Sequence, residues 1–457
     1  MEIYAYNFKA ITKKTLIYSE GTNLVTGKNS GGKSSIIQAI LFLKQNIEDE
    51  VEQENLKFNN PYLSLGNFKN ITTKNINNGD LEFTIKLNKY DISNSKHVPY
   101  FRKYLAIKDI EYNVKIESKR QNYSKTNIYI KEISVKINSG EIKFTRTKSD
   151  HYKVIFNDNF LDFLVGERKA KELSLTLPQG SIILNNSHYY SRNEIFSFPV
   201  MGYIYILIKE KFQNIYYIGP LRDTPKNYYY FEDRGNSKVG IRGEYTAQYL
   251  ARYYDTKCDY YKINDDGSLG KEKTESTLLE GVSYWLCEVF GFGENLSLDS
   301  DRSGVLYQLN IRNKKNQKLS INNVGFGVSQ ILPIIVQGLS IKTGTLILEQ
   351  PEIHLHPTVQ AILFDFFNSL RKSGISLIIE THSDHLITRM RRRIAESEEE
   401  IDIRLIFAED SNDNSISYRT LEVDELGNFN SWPQGFFDQY DKDIRAILRA
   451  QINKKSK

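Results

Sequence analysis

The 457-residue sequence predicts an α/β fold: a mixed sheet with flanking helices around a phosphate-binding loop, carrying a β-rich insertion and no coiled coil. Three observations predict it. Residues 27–34 read GKNSGGKS between an apolar strand and an apolar helix. Residues 80–160 alternate with period two, as antiparallel hairpins do. Beyond residue 340, short apolar strands alternate with helices, the pattern of a parallel sheet.

Taken in order, the first 45 residues read strand, turn, strand, loop, helix. TNLVT (22–26) is a buried strand, and SSIIQAILFLK (34–44) is a helix with Ile37, Ile40, Leu41 and Leu43 as its main apolar positions. Residues 46–75 are polar and loop-like around Pro61. LEFTIKL, YNVKI, IYIKEISVKI, IKFTR and YKVIF then follow as strands, with a turn at Asn138-Ser139-Gly140. Residues 196–213 form a helix, Ile215–Ile218 a strand, and Gly219-Pro220 breaks it. Residues 241–256 and 276–291 read as helices, and 305–320 as β structure. TLIL (345–348), SLIIE (376–380) and RLIFA (404–408) are strands, with helices at 357–371 and 384–396. No heptad is sustained, which excludes long coiled-coil arms.

Composition narrows the class. With 40% hydrophobic and 26% charged residues, the chain is an ordinary globular one, long enough for two or three domains. No apolar run reaches the ~18 residues of a membrane span. The start, MEIYAYNFKAITKK, lacks a secretory pattern, so the expected address is the cytoplasm, with no membrane partner. Cys258 and Cys287 cannot build a disulfide framework. Net charge is +5, but residues 101–160 hold 13 Lys/Arg against 7 Asp/Glu, so any basic patch belongs there and nucleic acid stays open as a partner.

Gly27-Lys28-Asn29-Ser30-Gly31-Gly32-Lys33-Ser34 matches GxxxxGK[ST] in full, in the strand–loop–helix context that the chemistry needs. Glycines let successive backbone N–H groups curl around phosphate oxygens, and the helix N-terminus adds its dipole. Lys33 supplies positive charge to the β- and γ-phosphates, and the Ser34 hydroxyl is a ligand for Mg²⁺. Far along the chain, TLIL ends in Glu349-Gln350-Pro351-Glu352, and an acid at that strand end can hold Mg²⁺ through water. The next apolar strand ends in Thr381-His382-Ser383, which puts His382 on the ligand-binding edge of an α/β sheet, within reach of a γ-phosphate. Upstream, Gly325-Phe326-Gly327-Val328-Ser329-Gln330 opens an apolar helix; its glycines and serine either offer donors to a phosphate or simply cap the helix.

That order of motifs resembles the ABC-type ATPase head in the form shared with SMC-like repair ATPases. LEQPEIHLHP, NNVGFGVSQILP and ETHSDHL are most similar to ATPases of prokaryotic defence islands, among them the ATPase half of OLD nucleases and the ATPase subunits of the Septu and PARIS systems. YIGPLRDTP, GIRGEYTAQYL and GNFNSWPQGFFDQ carry the same resemblance, so it covers both ends of the chain. The resemblance implies residues 1–95 and 215–457 as the two parts of the head, with 96–214 as the insertion. It implies Gly27–Ser35, ending in Ser35, as the Walker A loop, and Glu349 as the Walker B acid. By the same resemblance Gly325, Gly327, Ser329 and Gln330 belong to the signature loop, His382 is the switch histidine, and His354–Pro357 is the D-loop region. ATP and Mg²⁺ are the implied cofactors. A homodimer or higher oligomer closing head to tail on two ATPs is the implied assembly, with an anti-phage role and a nuclease or toxin effector encoded elsewhere.

Two departures matter. The position after the Walker B acid, ordinarily a water-activating glutamate, is Gln350, and an amide orients water without accepting its proton. Glu352 is the alternative carboxylate, with Pro351 between them. Slow hydrolysis is therefore expected. The Q-loop is not assignable among Gln45, Gln53 and PYLSLGNFKN.

Other residues read as structure first. His354 and His356 invite a metal reading, but a packed loop is preferred. Arg391–Arg393 are taken as a solvated helix face with Glu396 beside them, and Tyr228–Tyr230 as packing rather than base stacking. Arg222 in GPLRD either touches nucleotide or braces its loop. About 75 residues follow His382, too few for a nuclease with two metals, and Asp410 and Asp413 read as a hairpin turn. Two other classes stay open: a DNA-repair ATPase that clamps DNA directly, and a nucleotide-gated scaffold without turnover.

Overall fold

The computed structural model describes residues 1–28, 31–48, 56–73, 79–95, 107–122, 125–148, 151–157, 172–176, 182–184, 188–191, 194–230, 238–301, 304–397, 401–411, 415–431 and 439–455. The chain divides into two compact units. One comprises Met1–Glu20, Ser34–Tyr216 and Ser411–Ser417; the other comprises Gly21–Lys33, Tyr217–Asp410 and Tyr418–Lys457.

The first unit is built on a ten-stranded sheet. From one edge the strands are Glu194–Ser197, His188–Ser191, Glu172–Thr176, His151–Phe156, Gly140–Lys148, Lys125–Ile137, Ile110–Asn122, Leu81–Leu87, Glu2–Tyr6 and Thr15–Ser19. Neighbours pair antiparallel, as the period-two pattern requires. One face buries Tyr112, Val114, Val135, Phe144 and Val154. The other carries charges, some of them paired across strands. Lys115 and Lys143 both pair with Glu132, Lys131 with Asp80, and Arg146 with Glu117. These pairs are cross-strand contacts of opposite charge; because Glu117 and Glu132 are already in the count for 101–160, the excess of positive charge in that stretch remains. Leu81–Leu87 pairs with Glu2–Tyr6 on one side and with Ile110–Asn122 on the other.

The second unit holds the parallel sheet. Its strands are β1 (Thr22–Gly27), β2 (Ile215–Ile218), β3 (Thr345–Glu349), β4 (Ser376–Glu380), β5 (Ile403–Asp410) and β6 (Ile416–Leu421), in the order β2-β3-β4-β1-β5-β6. β3 with β4, β4 with β1, and β1 with β5 are parallel. Such strands are buried on both faces, so they read as continuous apolar runs rather than alternations. Helix α1 (Lys33–Ile47) has its first residue here and the rest in the first unit; three further helices of this unit matter: α2 (Phe326–Ser340), α3 (Pro357–Lys372) and α4 (Asp384–Glu396). α3 starts on Pro357 with His356 as its cap, and crosses from β3 to β4. Trp285, in a π-helical turn at Tyr284–Val289, meets Phe366 of α3 edge-on at 5.0 Å.

The helix expected over 241–256 is shorter, Thr246–Tyr253, with turns at Gly240 and Gly243 before it. The sequence also hides a hairpin, Lys257–Ile263 with Leu269–Thr277. Its second strand, LGKEKTEST, has no buried residue and therefore no apolar alternation to betray it. No described helix is long and apolar enough to cross a membrane.

Candidate functional site

The site is built at the C-terminal ends of β3, β4, β1 and β5, where open parallel sheets bind ligands. Gly27 ends β1 at φ +138°, and a Cβ there would collide with the Ala408 carbonyl of β5, so only glycine lets the chain leave the strand at that point. The Gly31 N–H closes the loop on the Lys28 carbonyl at 3.1 Å, and Gly32 has φ +78°. The Tyr418 hydroxyl donates to the Gly32 carbonyl at 2.9 Å. Lys33 is only 4% exposed, and its Nζ donates to the carbonyls of Gly27 (3.2 Å) and Lys28. Burial lowers its pKa, and the charge of Glu380 opposes that. Lys28 itself points outward to Asp410 at 3.8 Å. Asn29 and Ser30 lie outside the described residues. Ser34 and Ser35 are the first residues after Lys33 in α1.

Glu349 ends β3 directly opposite Glu380 at the end of β4. Burial and the Glu380 charge push the Glu349 carboxyl up to about 7, although the Tyr217 hydroxyl donates to its Oε1 at 3.0 Å. Two carboxyl groups side by side at one sheet edge, with the buried Lys33 ammonium in the field of Glu380, offer oxygen ligands to a divalent cation. Neither Tyr217 nor Glu380 was singled out from sequence. Glu380 had a signal: TLILE and SLIIE end alike, and parallel register brings the two acids side by side.

Gln350 leaves the strand at φ +45°, its N–H donating to the Glu380 carbonyl at 2.8 Å. The turn that follows answers the question Pro351 left open. Glu352 is 7% exposed, and its Oε1 accepts the backbone N–H of His382 at 2.6 Å. Burial raises its pKa; that His382 bond and the charge of Arg222 pull it back. Glu352, Gln350, His382, His354 and His385 line one cavity of about 530 Å³. Burial and then the charge of Lys33 lower the pKa of His382, which favours a neutral imidazole. Carboxylate, amide and imidazole therefore share one wet pocket at the strand ends.

The residues of 325–330 stand apart from that pocket. Gly325 is exposed, with open space where a Cβ would go. Gly327 approaches the Phe292 ring, with 3.3 Å to an added Cβ. The Ser329 hydroxyl, expected to face a phosphate, donates to the Phe326 carbonyl at 2.6 Å and accepts from Gln330 Nε2, and both residues are buried. Gly325, Phe326 and Ser329 nevertheless line a second cavity, about 180 Å³, with Thr224 and Pro225.

The residues read as structure divide. His354 packs edge-on against Phe326 at 5.0 Å, and His356 Nδ1 accepts the Thr358 N–H. Arg391 donates to the Gly427 carbonyl, Arg392 pairs with Glu396, and Arg393 pairs with Asp365 and Glu396. Arg393 is buried, not solvated as its run of like charges suggested. Tyr229 stacks on Tyr307, while Tyr228 and Tyr230 are exposed. Gln45 holds the Lys57 carbonyl, and Gln53 lies outside the described residues. Asp410 closes β5; Asp413 also lies outside the described residues.

Residues 263–387 match the AAA ATPase domain family, a stretch holding the signature-like loop, the acidic strand end and His382. Residues 399–447 match a family described as a protein of unknown function. No curated protein matches the chain. Among solved structures it is similar to the SMC head domain from Thermotoga maritima, at 11% identity and a TM-score of 0.41, over 92% of this chain and 98% of that one. It is also similar to an Smc head bound to the C-terminal winged-helix domain of ScpA, at 11% identity and TM-score 0.42, over 93% and 98%. An Smc head with an extended coiled coil, bound to a ScpA domain from Pyrococcus furiosus, overlaps at 11% identity and TM-score 0.39, over 98% of each chain. Identity and overlap at this level say nothing of activity, which must be argued from the site.

Proposed function

We propose that the protein binds ATP and hydrolyses it slowly, with Glu352 accepting the proton of the attacking water. One observation carries this reading: the strand order β3-β4-β1 brings Lys33, Glu349, Glu352 and His382 to one edge of one sheet, although more than 300 residues separate the first from the rest. The fit to nucleotide rests on the loop itself. Positions 27 and 31 leave no room for a Cβ, and the buried Lys33 ammonium has as partners only two loop carbonyls among those the geometry gives. An arriving phosphate would draw on that ammonium and on the N–H groups at the start of α1. Ser34 and Glu349 are the residues that would hold Mg²⁺, which neutralises charge on the phosphate oxygens. Gln350 orients water, His382 offers a neutral donor, and the buried Glu352 is the carboxylate with an oxygen to spare.

The family likeness of the motifs supports the wider role. In it, the 325–330 loop of a second copy completes each ATP site, and closure and release gate an effector in anti-phage defence.

Lys33→Ala should lose ATP binding by at least about tenfold, and Glu352→Gln should bind ATP normally but release phosphate about 10²-fold more slowly. Fluorescent-nucleotide titration and single-turnover phosphate release measure both. Parental affinity in Lys33→Ala would remove the loop from the reading, and a Glu352→Gln rate within about twofold of the parent would remove the base.

A further inference from the structure

Arg222 lies in the loop after β2 and is 5% exposed. A guanidinium carries five N–H donors. Here Nη2 donates to the Glu349 carbonyl at 3.1 Å, while Nε and Nη1 have no partner among the described residues. Buried donors of a charged group are rarely left so, because nothing replaces the water they gave up. Glu352 shows the complementary lack: its Oε1 is taken by the His382 N–H, the Thr381 side chain also acts on the carboxyl, and Oε2 is buried with no partner in hydrogen-bond geometry among the described residues. Each group lies in the other's field. The arginine charge favours the Glu352 carboxylate, and the Glu352 charge favours the guanidinium, both against burial.

We infer that Arg222 is a positioning residue for Glu352. It reaches the open Oε2 through a bridging water, while holding the Glu349 carbonyl with Nη2. A carboxylate held at both oxygens keeps one orientation toward the cavity it shares with Gln350 and His382. The Arg222 charge also favours the ionised form against burial, and only that form accepts a proton. This rests on the reading of Glu352 as base. It supplies what the glutamine at position 350 cannot, a fixed and charged acceptor beside the oriented water. A mere brace for the loop would need the Glu349 contact alone.

Arg222→Gln keeps an amide donor for the Glu349 carbonyl and removes the charge. Steady-state hydrolysis should show kcat lowered roughly 10- to 100-fold, with KM for ATP and nucleotide affinity within about twofold of the parent. Arg222→Lys should keep more than about a tenth of parental kcat, because the charge remains. The double variant Arg222→Gln/Glu352→Gln should be no more than about twofold slower than Glu352→Gln alone, since both act through one carboxylate. If Arg222→Gln melts early, the lysine variant decides: kcat above about a tenth of parental supports the inference, and a lower value overturns it. A slow Glu352→Gln combined with multiplicative losses in the double variant would overturn the role of Arg222 alone. A parental rate in Glu352→Gln would overturn the base reading and this inference with it.

Discussion

At the scale of single residues, Glu349 is held in a state that works against the fold. Its carboxyl titrates near 7 in the folded chain, against an ordinary value of 4.5, because it is buried beside Glu380. Between those values the folded state holds a proton the unfolded chain has lost, so stability falls as pH rises through the window. Above about 7 the whole cost stands. Glu349→Gln keeps an acceptor for Tyr217 and removes the charge. It should therefore be more stable than the parent by roughly 2–3 kcal/mol at pH 8, with the difference gone near pH 4.5. Denaturant titrations at the two pH values check this; equal midpoints at pH 8 would contradict it. The P-loop and the acid at the end of β3 were legible in sequence because backbone geometry and charge leave a fixed spacing. Tyr217 and Glu380 were not, because their part comes from register between strands that are remote in sequence.

At the scale of elements, α3 and α4 are locked by one buried acid. Asp365 of α3 takes Arg389 at 2.6 Å and Arg393 at 2.6 Å, both from α4. Arg393 also donates to the Gly267 carbonyl at the hairpin tip, so three elements meet on one guanidinium. Asp365→Ala would strand a largely buried positive charge and should cost about 3 kcal/mol, whereas Arg389→Ala, at a more exposed partner, should cost about 1 or less. Urea unfolding separates the two, and equal losses would mean the lock is not where the geometry puts it. Helices and parallel strands were readable from their apolar periods. The hairpin was invisible because its second strand contributes nothing to a core, and the run of three arginines misled because only the fold supplies Asp365.

At the scale of the whole molecule, the proposed meeting of two copies would run through the exposed start of α2. Ser329 is too buried to test this cleanly, since a large charged side chain there would disrupt α2 itself. Gly325 is exposed with open space around it, so Gly325→Arg adds bulk and charge without loss of fold. Light scattering with a non-hydrolysable ATP analogue should show the parent gaining mass and Gly325→Arg remaining at the monomer, with nucleotide affinity unchanged. A mass gain in both would count against closure through this loop. The strand order has a further consequence in time. The two neighbours of β1 are β4 and β5, made about 350 and 380 residues after it. At bacterial or eukaryotic elongation speeds that is a wait of roughly 20–80 s. Throughout it the glycine loop hangs on a strand with neither flank in place, and the Ala408 carbonyl against which Gly27 turns does not yet exist. The nascent chain thus carries its glycine loop without a pocket to use it, and acquires the pocket only once β4 and β5 have been made.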